Sequence, residues 1–275
     1  MSAYEAKKYL TYKLKAKNEH SIHSPFVFKL YTEAIKNRER YYAFDELDKL
    51  RKKLLRDEET IEVTDLGAGS KKLHKKRTVA EIAKVSVVPK KYGELLFRIT
   101  NYFQPKSILE LGTSLGLSAL YMHKAAPQAN LLSVEGCPNT SVFAKKLLAE
   151  EKKFSPVKGD DNASEGRGRR GVNLVCSSFE EFLSQLDTKE KFDLIYIDGN
   201  HTYEATIKYF KILLSHVNND SVMIFDDIYW SPGMAKAWEE IKGDSSVTLT
   251  IDLFKFGIVF FRRENKQKED LCLRY

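Results

Sequence analysis

Two stretches of this chain pair an acid with a glycine turn at the end of an apolar run. One reads "ILELGTSLG", with Glu110, Gly112, Thr113, Ser114 and Gly116; the other reads "TDLGAGS", with Asp65, Gly67 and Gly69. Glycine lacks a Cβ and reaches positive φ easily, so such a turn lets the backbone approach a nucleotide-like ligand closely. Further on, "FDLIYIDGNH" ends its apolar run in Asp198, with His201 shortly after, and "SVMIFDD" ends in Asp226 and Asp227. Three carboxylates from neighbouring strand ends repel one another without a cation, and hard oxygen donors suit Mg²⁺ or Ca²⁺. His201 is placed to take a proton near neutral pH.

A nucleoside-binding turn should have a helix starting directly after it, an apolar strand before it, and an acid at a second strand end about 20 residues on. The Gly112 turn meets all three conditions. "LGLSALYMHKA" opens a helix at once, with Ser118 in its first turn, and "NLLSVEG" places Glu135 at a strand end. The Gly67 turn is followed by "KKLHKKR" and then by "VSVVPKK", which holds no acid. Gly112 is therefore the ligand turn, and "DLGAGS" is expected to be a turn in an N-terminal cap. "ELGTSLG" has no lysine for a P-loop, and Ser114 stands where a dinucleotide fingerprint has its second glycine. A bulkier turn suits a ligand without a pyrophosphate.

The elements that must position these groups follow from periodicity. Residues 3–19, 25–38 and 43–57 have helical spacing, and 90–103 is an amphipathic helix stopped by Pro105. From residue 107 short apolar runs alternate with helices: strands 107–111, 130–135, 172–176, 192–198 and 221–227, and helices 116–125, 138–150, 179–186, 202–215 and 232–241. Strands 247–254 and 255–263 close the pattern as a hairpin. Five β-then-α units imply parallel strands with helices on both faces. The expected fold is α/β: a doubly wound, seven-stranded, mostly parallel Rossmann-like sheet with an antiparallel C-terminal hairpin and a helical cap. The boundary falls between a cap over 1–85 and a ligand-binding domain over 86–275. Segment 155–173, rich in Gly, Asp, Asn and Arg, reads as a surface loop.

Composition sets the class. With 43% hydrophobic and 30% charged residues the chain is an ordinary globular protein. No window approaches the apolar length of a membrane span, and the lysine-rich start has no secretory h-region, so a cytoplasmic protein is expected. Cys137, Cys176 and Cys272 lack metal-ligand or CxxC spacing and read as reduced thiols. Residues 1–100 hold 23 Lys/Arg against 14 Asp/Glu, and the remainder 22 against 24. The basic excess is interspersed with glutamates, which favours a solvated helical face over a nucleic-acid platform.

Strand-turn "ILELGTSLG", "SVEG", "CSSFEEFL", "FDLIYIDGNH" and "SVMIFDD", followed by a hairpin, resemble class I S-adenosylmethionine-dependent methyltransferases. They are most similar to the cation-dependent O-methyltransferases of the catechol and macrocin-sugar types, over about residues 88–263. The resemblance implies that Glu110, Gly112, Thr113, Ser114, Gly116 and Ser118 line the cofactor. Glu135 would hold the ribose hydroxyls, Ser178 and Phe179 the adenine, and Val88 would touch the cofactor ahead of helix 90–103. Asp198, Asp226 and Asp227 would ligate Mg²⁺ or Ca²⁺, with Asp198 also serving the cofactor and catalysis. His201 stands where the catechol enzymes have a general-base lysine. A cation-held substrate hydroxyl would then attack the sulfonium methyl.

Plainer readings stand beside these. Asp227 also suits a turn cap, the Asp226-Asp227 pair needs no metal, and His201 precedes Thr202, a natural helix cap. Phe179 is either core or adenine contact. Tyr229 and Trp230 either wall an aromatic pocket or pack, and His20 and His23 lack metal-site spacing. The expected partner is a small molecule with a hydroxyl group; self-association into a homo-oligomer is left open. The alternative is an RNA methyltransferase using the basic N-terminal region, although no D/N-P-P-Y/F tetrapeptide is present.

Overall fold

The computed structural model describes residues 2–64, 74–152 and 171–275. The second glycine stretch, 65–69, and the polar segment 155–170 lie outside the described residues. Helices α1 (Ala3–Lys15), α2 (Pro25–Leu30) and α3 (Tyr42–Leu54) come first, followed by strands β1 (Thr60–Thr64) and β2 (His74–Thr78). Helices α4 (Val79–Ser86) and α5 (Lys90–Phe103) lead to β3 (Ser107–Leu111), α6 (Leu117–Ala125), β4 (Asn130–Glu135) and α7 (Pro138–Lys152). Then come β5 (Gly171–Cys176), α8 (Phe179–Ser184), β6 (Leu194–Ile197), α9 (Tyr203–Leu213), β7 (Val222–Phe225) and α10 (Pro232–Gly243). Strands β8 (Leu249–Asp252), β9 (Gly257–Phe260) and β10 (Glu269–Cys272) end the chain.

In hydrogen-bonding order the main sheet runs β10-β8-β9-β7-β6-β3-β4-β5, while β1 and β2 form a separate antiparallel pair. Pairs β3–β4, β4–β5, β6–β7 and β8–β10 are parallel, and β9 is antiparallel to both β7 and β8. Every residue of β6, β7, β8 and β9 is buried, as strands covered on both faces require. The order runs outward in both directions from the β3–β6 position, which is the doubly wound, mostly parallel plan expected from the β/α alternation.

Four local expectations are corrected. Among the described residues the sheet has eight strands, not seven. The eighth, β10, is the polar segment Glu-Asp-Leu-Cys, whose composition carries no strand signal; pairing with β8 makes it one. The basic run before Val79 is strand β2, formed because Ile61 and Val63 of β1 pair with Arg77 and Lys75. Helix α4 was also not anticipated, although Thr78 and Glu81 have capping-box spacing and make both reciprocal bonds. The second N-terminal helix does not run to residue 38: α2 ends at Leu30 and continues as a π-turn over Tyr31–Ile35.

The chain forms two compact units, residues 37–182 and residues 1–36 with 183–275. In the first unit α6 packs against α3 and α5. Lys124 pairs with Glu46 at 2.6 Å, and the rings of Tyr41, Phe44 and Phe97 cluster with centroids 4.8 to 5.4 Å apart. β1 leans on α7, where Thr64 N–H donates to Cys137 Sγ at 3.3 Å and Asn139 Nδ2 to the Glu62 carbonyl at 2.8 Å.

The second unit ties the two ends of the chain together. Lys17 N–H donates to the Cys272 carbonyl at 2.8 Å, and Arg274 N–H to the Lys17 carbonyl at 2.9 Å. The buried hydroxyl of Tyr12 donates to the Leu273 carbonyl at 2.7 Å, and that of Tyr31 to the Arg274 carbonyl at 2.9 Å. These bonds tie residues 1–36 to the C-terminal strands.

Candidate functional site

The first group of site residues lies in the unit 37–182. β3 is apolar and buried, and it carries Glu110, itself fully buried. The Ser133 hydroxyl donates to Glu110 Oε2 and lies 2.5 Å from Thr113 Oγ1. The turn then needs left-handed backbone: Gly112 has φ 108° and Gly116 φ 86°, and Ser114 between them has φ 48°. Glycine adopts such angles without strain, and Ser114 is the one residue there with a Cβ that does so. Gly112 N–H donates to the Val134 carbonyl at 3.0 Å, and Gly116 N–H to the Thr113 carbonyl at 2.8 Å. Gly116 is also the N-cap of α6, so the turn feeds directly into a helix start with Ser118 buried in its first turn.

Glu135 closes this group. Its Oε2 accepts from Ser114 N–H at 2.8 Å and its Oε1 from Cys137 N–H at 2.9 Å. The carboxylate at the end of β4 is therefore locked onto the backbone of the β3 turn. Burial pushes its pKa up, opposed by the backbone N–H groups of Cys137, Ser114 and Gly136. A partly desolvated carboxylate with lone pairs beyond these two bonds suits the hydroxyls of a ribose.

Three other expected cofactor residues are placed by the chain as follows. Ser178 caps α8, its hydroxyl accepting from Glu181 N–H at 3.2 Å. Phe179 is half-buried, whereas Phe182 and Leu183 on the same helix are buried. Val88 is buried, and its carbonyl accepts from Arg51 Nη2 at 2.5 Å.

The second group lies in the other unit, at the ends of β6 and β7. Asp226 is 2% exposed, and its N–H donates to the Ile197 carbonyl at 2.9 Å, which ties the two strand ends together. Asp227 takes a left-handed φ of 52° and donates its N–H to Asp226 Oδ1 at 2.7 Å. Tyr196, one strand residue before Ile197, donates its hydroxyl to Asp226 Oδ2 at 2.9 Å and reaches Asp198 Oδ2 at 3.2 Å. His201 Nε2 lies 3.5 Å from Asp198 Oδ1. Thr202 caps α9 through Ala205 N–H, so His201 is held just ahead of a fixed helix start.

Electrostatics separate these groups. Burial pushes the Asp226 carboxyl well above its usual range, and the neighbouring Asp198 charge adds to the effect. For Asp198, burial works in the same direction, but the hydrogen bond and charge of His201 and the charge of Lys255 outweigh it and hold the carboxyl low. Burial disfavours the imidazolium of His201, yet the bond to Asp198 and the charges of Asp198, Asp227 and Asp226 raise its pKa overall. The result is a histidine made more basic by a paired aspartate.

Two members of this cluster escaped the sequence reading. Lys255 Nζ lies 3.0 Å from Asp226 Oδ1 and against Asp227 Oδ1. Its signal was a lone lysine in the apolar hairpin turn "DLFKFGIVF". Tyr196 sat two residues before Asp198, on the same face of its strand. Tyr229 is a packing residue: its hydroxyl donates to Asp252 Oδ2 at 2.5 Å and its ring lies 5.7 Å from that of Phe254. Trp230 is exposed, as are His20 and His23. No helix among the described residues is long and apolar enough to cross a membrane.

Comparison with known proteins agrees with this architecture. Residues 109–228, from β3 through β7, match a methyltransferase domain family. The fold is similar to the SAH-bound methyltransferase PaMTH1 of Podospora anserina, with a TM-score of 0.56, 14% identity, and 88% of this chain and 97% of that one covered. It is also similar to an O-methyltransferase from Bacillus cereus in complex with SAH (TM-score 0.54, 14% identity, 82% and 93% covered). TomG of Streptomyces achromogenes, an O-methyltransferase involved in tomaymycin synthesis and solved with SAM, gives a TM-score of 0.53 at 16% identity, with 82% and 91% covered. The chain thus matches a methyltransferase domain family over residues 109–228 and has the fold of these SAH- and SAM-bound methyltransferases.

Proposed function

We propose that this chain is an S-adenosylmethionine-dependent O-methyltransferase acting on a hydroxyl of a small molecule. The observation that carries the reading is the Glu135 carboxylate bound to the Ser114 and Cys137 amides across a glycine turn. That cradle fits a nucleoside: backbone on one side, a carboxylate for ribose hydroxyls on the other, and no lysine or glycine run for a polyphosphate. Glu110, Gly112, Thr113, Ser114, Gly116 and Ser118 would then line the cofactor, with Val88, Ser178 and Phe179 as its further contacts.

When bound, S-adenosylmethionine supplies a methyl group already activated by its sulfonium. The chain's own work is to place the acceptor and remove its proton. His201, raised in basicity by Asp198, is assigned as the group that takes the hydroxyl proton. The bound cofactor would give its methyl group to the acceptor oxygen, its sulfur keeping the electron pair of the broken bond, while His201 would hold the released proton. Tyr196 fixes Asp198 and Asp226 relative to each other, so the His201–Asp198 pair keeps one orientation.

The divalent cation expected from the sequence does not fit the carboxylates as they stand. Mg²⁺ takes oxygen ligands at roughly 2.1 Å in near-octahedral array. Here Asp226 and Asp227 already face the Lys255 ammonium, and Asp198 faces His201. Among the described residues no group of three His, Cys, Asp or Glu side chains is arranged to hold an ion.

The test is a methyl-transfer screen of catechols, hydroxylated sugars and RNA, with mass spectrometry of the products. The expected outcome is a methyl ether on a small-molecule acceptor. Methylation of RNA alone, or no binding of S-adenosylhomocysteine by calorimetry, would overturn the reading.

A further inference from the structure

A cation is already built into the carboxylate cluster. Lys255 is delivered by the turn between β8 and β9, and that turn is fixed by several bonds. Lys255 N–H donates to the Leu253 carbonyl at 3.0 Å, and Ile228 N–H donates to the Lys255 carbonyl at 3.3 Å. Phe254 adopts a left-handed φ of 72°, and Gly257 just beyond lies so close to Trp238 that a Cβ there would meet the indole at 2.7 Å. The Lys255 side chain is 17% exposed, so its ammonium is held in a largely desolvated place and not free on the surface.

The contacts divide the three acids into two systems. Asp226 and Asp227 share Lys255, while Asp198 pairs with His201; Tyr196 bridges the systems through its hydroxyl. An ammonium has three N–H donors. With Asp226 and Asp227 each facing one, a third remains for an acceptor oxygen. A compact +1 charge beside a developing oxyanion supplies the electrostatic stabilisation that a divalent ion would otherwise provide, at lower field strength.

We infer that Lys255 is an internal replacement for the divalent cation: its ammonium neutralises the Asp226–Asp227 pair, positions the acceptor oxygen, and makes the methyl transfer independent of metal. The inference rests on the O-methyltransferase reading for its catalytic part, but the occupation of the cation site by Lys255 does not. Its test therefore begins with metal binding and not with turnover.

Mn²⁺ binding to the full chain is measured by electron paramagnetic resonance, with circular dichroism as the check on folding. The wild type and Lys255→Arg are expected to show no stoichiometric Mn²⁺ site at millimolar metal. Lys255→Ala, left with two facing carboxylates, is expected to gain one Mn²⁺ per chain and to rise in Tm when Mn²⁺ is added. One Mn²⁺ bound by the wild type would overturn the inference, because metal would then displace the lysine. A folded Lys255→Ala that binds none would overturn it too, since the lysine would not be filling a cation site. If Lys255→Ala does not fold, the wild-type measurement still decides. For an acceptor found in the screen, EDTA is expected to change kcat less than twofold and Lys255→Ala to lower it more than tenfold; abolition by EDTA would refute metal independence even where O-methylation itself is observed.

Discussion

Replacing Glu135 with alanine isolates the cofactor half of the mechanism. The side chain presents two oxygens, one held by Ser114 N–H at 2.8 Å and one by Cys137 N–H at 2.9 Å, and both have further lone pairs for ribose hydroxyls. A hydrogen bond to a charged group contributes about 1.5 kcal/mol or somewhat more. Loss of two such bonds to the ribose weakens binding by about 3 kcal/mol, which is roughly 100-fold in Kd. Loosening of Ser114, whose φ of 48° is supported by the same carboxylate, acts in the same direction. Glu135→Gln keeps one carbonyl oxygen and should fall between, at about tenfold. The assay is calorimetric titration with S-adenosylhomocysteine, with the Tm of each variant measured in its absence. Asp65→Ala, in the other glycine stretch, is the control and should leave Kd within about threefold. A folded Glu135→Ala that binds as tightly as the wild type would refute the assignment of the ribose to this carboxylate.

Three further outcomes are expected. His201→Gln should lower kcat by about 10²-fold or more while KM changes little. Because Asp198 raises the His201 pKa, the wild-type rate should climb with a midpoint above the ordinary histidine value of about 6.5, and the variant should lose that limb. Gly257→Ala should destabilise the fold by about 1–3 kcal/mol in urea unfolding, since its new methyl meets the fully buried Trp238. For Asp244, burial raises the carboxyl, but the Ser246 hydroxyl and amide and Lys211 together bring it down to about 2. A lowered native pKa adds stability above the unfolded value and loses it as pH falls through the native one. Asp244→Asn should therefore be less stable by about 1 kcal/mol at pH 7, after allowance for solvent screening, with the gap closing between about pH 4 and pH 2.

Much of the proposed cofactor half was legible locally. "ILELGTSLG" announced its strand, its turn and its helix because each signal lies within a few residues of the next: an apolar run, positive-φ glycines, then helical spacing. Glu135 was found by its distance from Glu110, since one β-α-β unit has a nearly constant length. Asp198 and Asp226 directly follow β6 and β7, as their apolar runs predict, with His201 and Asp227 shortly beyond. What they are paired with was not legible. Lys255 is 28 residues beyond Asp227, in a turn whose local sequence says only that two strands meet.

The amino-acid sequence by itself determined the β/α alternation, the Gly112 turn with Glu135 beyond it, and the carboxylate-bearing strand ends, because these depend on periodicity and on the φ preferences of a few residues. Only the tertiary structure decided that β10 joins the sheet beside β8, that residues 1–36 are tied to the C-terminal strands, and that a lysine fills the place expected for a metal. Each of these is a contact between segments distant in the chain. Polar strands such as "EDLC" and lone charges such as Lys255 have no local preference strong enough to declare such a contact; their partners' unpaired backbone and uncompensated charge select them once the sheet has formed.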